Sequence, residues 1–219
     1  MVQRLSPLLL VTTLAVAELN DVLAQDISVG VVGGVNVASQ SLDDGTGSDI
    51  DPKLGVLAGG HLSVDITPTI GFMLETLYSQ KRHAVSSGGP RYRILMTYVE
   101  FPVLANFVMP VNEAGTTSVN LGGGPAVGFE IGCDITEEYE DGLSYSYGCA
   151  DLAPDRHRPD VGLTFFGGLG VGVGSSTLLL YVGYTFGLTA VDIRFEGSGA
   201  KNRSLFFKAG YEFPLGSHR

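Results

Sequence analysis

The stretch that decides the fold is residues 54–66, which read LGVLAGGHLSVDI. One alternating set is apolar or glycine: Leu54, Val56, Ala58, Gly60, Leu62, Val64 and Ile66. The other set is mostly small or polar: Gly55, Leu57, Gly59, His61, Ser63 and Asp65. A period of two over a stretch this long predicts a β-strand with one face against an apolar medium and the other against small polar groups.

The same alternation recurs along the rest of the chain, and the segments between the strands alternate in length. Further strands are predicted at residues 27–37, 70–78, 95–107, 119–131, 161–171, 178–188 and 205–215. Each has about 10 residues, the length that a tilted strand needs to cross hydrocarbon. Long polar connections occupy residues 39–52, 83–91, 133–159 and 192–203, and short ones occupy 67–68, 110–116 and 174–176.

This arrangement predicts an all-β fold, an eight-stranded antiparallel up-and-down transmembrane β-barrel with turns on one side and loops on the other. The ring must close because unpaired strand edges are excluded from lipid. Outward aromatic residues are expected at the two rims: Tyr78, Phe129 and Phe186 on the long-loop side, Phe107 and Phe213 on the short-turn side. A soluble lipocalin-type barrel is the alternative, and it would turn the apolar faces inward.

The N-terminus predicts a secretory signal peptide. Arg4 supplies the positive charge and residues 8–16 the apolar stretch, with cleavage favoured after Ala24 and possible after Ala17. The alternative is a buried first helix. The expected organisation is a signal peptide at residues 1–24 and an outer-membrane β-barrel at residues 25–219, which reaches the bacterial outer membrane after export.

The chain has only two cysteines, Cys133 and Cys149, and export would place both in an oxidising compartment. In an oxidising compartment they are expected to form a disulfide, which would contribute about 3 kcal/mol in the chain-entropy model. Zinc binding is the weaker alternative, because no residue beside them has zinc-ligand spacing. The net charge of −10 excludes nucleic acid as a partner, since phosphate binding needs a basic patch.

Charged residues on the inner face predict a polar network in the lumen. By strand parity this network comprises His61, Asp65, Glu75, Glu100, Glu130, Lys208 and Glu212. Buried charges must be paired or neutralised, and eight strands leave a lumen that side chains can fill. The prediction is therefore a plugged barrel; a proton path or an acid–base pair is the alternative.

No catalytic residue, cofactor or metal ligand is predicted. The internal histidines are His61, His83 and His157; the last two fall in predicted loops, where a solvated side chain is expected, and no Gly-x-Ser-x-Gly motif occurs. Two acidic loop segments, residues 43–51 and the cluster Glu137, Glu138, Glu140 and Asp141, could bind Ca²⁺ or an extracellular ligand. A solvated acidic surface is the simpler interpretation.

Several motifs in order resemble the eight-stranded outer-membrane barrels of the porin-family or PorT-like group found in Bacteroidetes-type bacteria. The stretch YVEFPVL at residues 98–104 looks like that group's Tyr-x-Glu-(Ile/Phe)-Pro-Leu-Leu strand; NLGGGP at 120–125 and DVGL at 160–163 resemble its next strands. The last strand resembles the signal read by the barrel-insertion machinery, at Lys208, Gly210, Phe213 and Leu215. The resemblance implies residence among outer-membrane lipids and no known substrate.

The sequence thus favours a non-enzymatic outer-membrane protein whose filled barrel anchors surface loops that bind a partner, stabilise the envelope, or both. A small-solute porin and a loop-side envelope enzyme remain as alternatives.

Overall fold

The fold consists of nine strands and one short 3-10 helix in the part of the chain that the structure describes. The computed structural model describes residues 26–41, 50–86, 90–151, 159–190 and 201–215. The strands are β1 (Asp26–Ser41), β2 (Ile50–Thr67), β3 (Ile70–Ser86), β4 (Arg91–Pro110), β5 (Thr117–Glu138), β6 (Ser144–Gly148), β7 (Asp160–Val173), β8 (Ser176–Ala190) and β9 (Lys201–Pro214), with the 3-10 helix at Cys149–Asp151. No helix in these ranges is long and apolar enough to cross a membrane.

Eight of these strands form a closed antiparallel ring. Each long strand pairs with its neighbours in chain order, β7 follows β5 in the ring, and β9 closes the ring against β1. The short strand β6 pairs with the upper part of β5, beyond the segment of β5 that pairs with β7. The predicted eight-stranded up-and-down barrel is therefore confirmed, with β6 as an addition on the long-loop side.

The apolar faces of the strands point outward. Val56, Phe101, Leu163 and Leu180 are 50%, 39%, 38% and 45% exposed, whereas inward residues of the same strands, Leu57, Leu104, Phe166 and Leu179, are buried. The predicted rim aromatics, Tyr78, Phe107, Phe129, Phe186 and Phe213, are all exposed. A water-soluble barrel would show the opposite arrangement, so the lipocalin-type alternative is wrong.

The strands extend further toward the long-loop side than the apolar pattern predicts. Residues 79–86 continue β3, and part of the predicted 133–159 loop forms the end of β5, β6 and the 3-10 helix. Beyond the hydrocarbon layer the strands continue to pair through backbone hydrogen bonds but need no apolar face. The hydropathy of the sequence therefore does not show where a strand ends. His83 was expected in a solvated loop; this expectation is wrong, because His83 lies on β3 with only 2% of its surface exposed.

Some sequence-based expectations fall on residues outside the described ranges. These are the signal peptide with its cleavage site, residues 43–49 of the acidic segment 43–51, and His157.

Candidate functional site

An apolar cluster crosses the lumen of the barrel. Its members come from six of the eight ring strands and are all buried: Leu57, Met73, Leu104, Phe166, Leu179, Tyr181 and Phe206. The Phe166 and Tyr181 rings meet edge to face with centroids 5.0 Å apart. The packed side chains of this cluster fill part of the lumen cross-section at their level.

A buried ion pair inside the barrel joins β9 to β3, two strands that are not neighbours in the ring. The Lys208 ammonium on β9 donates to both carboxylate oxygens of Glu75 on β3, at 2.6 and 2.7 Å, and both side chains are almost fully buried. The ammonium also lies 4.8 Å from the centroid of the Phe206 ring. The structure thus brings together two of the charged residues predicted for the lumen.

A second group lies nearer the short-turn side. His61 Nε2 lies 2.9 Å from Glu212 Oε2, and the Ser63 hydroxyl donates to the same oxygen at 2.7 Å. Gly30 of β1 separates His61 from Glu212 in the sheet, and a Cβ there would come within 2.8 Å of the Tyr211 carbonyl oxygen and still closer to the imidazole. The glycine is what allows the imidazole to reach across β1.

A third group lies nearer the long-loop side and includes residues that the sequence analysis missed. The Lys81 ammonium donates to Glu100 at 2.7 Å and to Asp160 at 3.0 Å, and it lies 4.5 Å from the centroid of the Tyr98 ring. The Asn202 amide donates to the same Asp160 oxygen at 2.8 Å. Glu100, predicted as a lumen residue, thus has a partner that was not predicted. Extending the parity of β3 beyond Tyr78 would have placed Lys81 inward.

A small cavity of about 10 Å³ adjoins this third group. Its walls include Lys81, Asp160, Asn202 and Thr185, with glycines at 128, 162 and 187. The volume is that of about one water molecule, so the site has room for a hydrating water and not for an organic substrate.

The remaining predicted lumen residues lie toward opposite ends of the barrel. Asp65 pairs with Gly71 near the β2–β3 turn, and Glu130 pairs with Tyr98 toward the long loops. Both are partly exposed. Of the predicted lumen residues, the structure joins Lys208 to Glu75 and His61 to Glu212, and it joins Glu100 to Lys81.

The residues of the predicted insertion signal divide between the two faces of β9. Lys208 and Gly210 face the lumen and are buried, whereas Phe213 and Leu215 are 46% and 61% exposed near the end of the described chain. Recognition by the barrel-insertion machinery remains a prediction.

A disulfide-linked hairpin rises from β5 on the long-loop side. Cys133 and Cys149 form the expected disulfide, which connects β5 to the 3-10 helix that follows β6. Cys149 is buried in a second apolar cluster with Ile94, Met96, Tyr98 and Ile135. Tyr147 of β6 packs against this cluster. The hairpin is therefore fixed to the inner surface of the barrel extension at its base.

The two faces of this hairpin differ in character. One face has hydroxyl groups and an ion pair: Thr136 and Ser146 are 3.1 Å apart, and Arg93 binds Glu138 at 3.0 Å. The other contains Glu137, Tyr139, Leu143 and Tyr145, which we call the tyrosine face. Its three large side chains are 40%, 54% and 57% exposed, and the two tyrosine rings meet at right angles with centroids 6.0 Å apart.

Hydrogen bonds hold the tip of the hairpin in shape. The Tyr139 amide donates to the Leu143 carbonyl at 2.9 Å, and Gly142 adopts a left-handed conformation in the turn between them. The Tyr139 hydroxyl donates to Glu137 at 2.8 Å, and this hydrogen bond raises the pKa of Tyr139 to about 12. The same hydrogen bond orients the Tyr139 ring, which contacts Tyr145 edge to face.

The acidic residues 137–141 lie at the end of β5 and in the turn of the hairpin. Among the described residues, no three histidine, cysteine or carboxylate side chains are arranged to hold a metal ion.

A closed eight-stranded ring with an apolar exterior and a packed, partly ionic interior defines a transmembrane β-barrel. Residues 23–193 match the family model described as outer membrane protein beta-barrel domain, and the chain belongs to this family. Membership implies the bacterial outer membrane. The narrower porin-family or PorT-like assignment stays a resemblance.

Solved structures similar to this chain are also outer-membrane barrels. The attachment invasion locus protein Ail of Yersinia pestis, solved with the heparin analogue sucrose octasulfate, is 15% identical, with 86% of this chain and 99% of that chain covered and a TM-score of 0.43. Neisserial surface protein A is 12% identical, with coverages of 85% and 97% and a TM-score of 0.44. OprG of Pseudomonas aeruginosa is 12% identical, with coverages of 87% and 96% and a TM-score of 0.41. No curated protein matches the sequence.

Proposed function

We propose that this protein is a non-enzymatic outer-membrane anchor whose lumen is closed to solutes and whose disulfide-linked hairpin binds an extracellular partner. The observation that carries the proposal is the packed apolar cluster from six strands across the lumen. A barrel that does not conduct acts through the surfaces it presents, and the hairpin presents large apolar side chains to water.

The arrangement of the histidines and serines supports a non-enzymatic role. A serine nucleophile needs to donate its proton to a neighbouring base. Ser63 donates to the Glu212 carboxylate, which is a weaker base than an imidazole, and His61 contacts the same carboxylate oxygen. His83 is buried on β3, away from any solvated substrate.

Conductance measurements distinguish the anchor from a small-solute porin. Purified protein inserted into planar lipid bilayers is expected to show no steady conductance above the bare membrane, because the apolar cluster excludes a water column. The double variant Phe166→Ala/Phe206→Ala removes two rings from the cluster and is expected to give a measurable conductance, which serves as the positive control. Large, steady channels from the unaltered protein would contradict the closed lumen and favour the porin.

A further inference from the structure

The tyrosine face lies on the lumen side of the hairpin and not on its lipid side. Tyr147, which packs on the buried cluster below, is two residues from Tyr145 on β6, so the two side chains share a face. Tyr145 pairs with Glu137, which is two residues from the buried Ile135. The exposed tyrosines therefore lie above the mouth of the barrel and do not belong to the aromatic belt in the headgroup layer.

Exposed aromatic side chains on a rigid support are typical of protein-binding surfaces. Tyrosine provides a large contact area at little conformational cost, and such residues dominate the binding free energy at interface centres. The disulfide, the cross-strand pairs and the turn hydrogen bonds hold these rings in place before any partner arrives. Pre-organisation of this kind reduces the entropy cost of binding.

The negative charge around the tyrosine rings favours a positively charged partner. Glu137 lies on the tyrosine face, and Glu140 and Asp141 lie in the turn beside it. None of these three carboxylates forms an ion pair with a described residue; the ion pair of the hairpin, Arg93–Glu138, lies on the opposite face. A guanidinium or ammonium group can form an ion pair with a carboxylate and lie over the face of a tyrosine ring. A surface that has both groups side by side therefore favours a cationic ligand.

We infer that the tyrosine face is the docking site for a cationic segment, rich in arginine or lysine, of an external protein. This inference rests on the proposed function and names the partner class for the same hairpin. A cation over the two rings would be stabilised by both of them, and the neighbouring carboxylates would favour its approach at low ionic strength.

Binding of a hexa-arginine peptide to the full chain tests the inference. The protein is reconstituted in nanodiscs of uncharged phosphatidylcholine, so that the lipid contributes no net charge, and the affinity is measured by biolayer interferometry. We expect salt-sensitive binding of hexa-arginine and none of hexa-glutamate. The variant Tyr139→Leu/Tyr145→Leu keeps the apolar area but removes the rings, and it is expected to bind about tenfold more weakly.

Two variants that each remove one negative charge distinguish binding at the hairpin from a general attraction of the peptide to the negatively charged protein. Glu140→Gln is expected to weaken hexa-arginine binding about threefold, as for one partly screened charge. Glu113→Gln removes the same charge from the turn after β4 on the other side of the barrel, and it is expected to leave the affinity unchanged. Heat-modifiable migration on a gel confirms that each variant is folded.

Besides a failure to bind hexa-arginine, three results would overturn the inference. They are equal losses from the two glutamine variants, unchanged affinity of the leucine variant, and binding that emerges only when Arg156, His157 and Arg158 are replaced by alanine. The last would show that the chain's own basic segment occupies the face. Conductance is recorded on the same preparation: a closed barrel that fails to bind hexa-arginine rejects this inference alone, whereas a conducting barrel rejects the proposed function.

Discussion

Replacing Lys208 with methionine is expected to lower the free energy of unfolding by about 3–5 kcal/mol, the cost of leaving a buried charge without its partner. The Glu75 carboxylate would remain in the lumen, where its side chain is 1% exposed, after losing both of its short contacts to the ammonium. Urea unfolding of the detergent-solubilised barrel, followed by circular dichroism, measures the loss.

Two further variants show whether the loss of stability in Lys208→Met arises because the remaining charge is buried. Glu75→Leu/Lys208→Met replaces the pair with apolar side chains and is expected to recover most of the stability, because no charge is left unpaired. Arg93→Met breaks the ion pair with Glu138, in which the Arg93 side chain is 59% exposed, and is expected to cost less than about 1 kcal/mol. A small loss from Lys208→Met, similar to that from Arg93→Met, would mean that the lumen is hydrated.

Placing arginine at Val182 is expected to destabilise the bilayer-inserted protein by about 2–4 kcal/mol. Val182 is 44% exposed and lies midway along the outward apolar face of β8, which extends from Leu178 to Leu188. At that position a guanidinium would enter the hydrocarbon, where it cannot be solvated. The free energy of unfolding in phospholipid vesicles, compared with that of the unaltered protein, gives the cost.

The depth dependence provides the control for this substitution. Leu188 is also outward and is 54% exposed, but it lies near the long-loop end of β8. Leu188→Arg is expected to cost only about 0–1 kcal/mol, because the charge reaches the headgroup region. Equal costs at the two positions would argue against a membrane-spanning β8.

The sequence predicts the sidedness of the barrel well because the alternation of side chains is a property of the strand itself. Phe165 is exposed and Phe166 is buried, as parity requires for adjacent residues. The number of strands follows from the same pattern, since each membrane crossing needs an apolar face of similar length.

The partners within the lumen could not be predicted in the same way. Parity assigns Lys208 and Glu75 to the interior, but the stagger of the strands around the barrel decides which inward residues meet. Lys81 and Asp160 were missed because the apolar pattern fades near the rim, where the ladder continues without it. The hairpin of β5 and β6 was not predicted for the same reason, because the polar residues 133–148 resemble a loop.

The central claim is that the outward side chains contact lipid while their neighbours in the chain fill the lumen. The chain contains no tryptophan, so a single introduced indole reports on one position alone. Phe165→Trp and Phe166→Trp differ by one residue on β7, with exposures of 52% and 7% at the native side chains. The measurement is quenching of tryptophan fluorescence in vesicles of lipid brominated in the acyl chains. The account predicts strong quenching of Phe165→Trp and weak quenching of Phe166→Trp; stronger quenching of Phe166→Trp would contradict it.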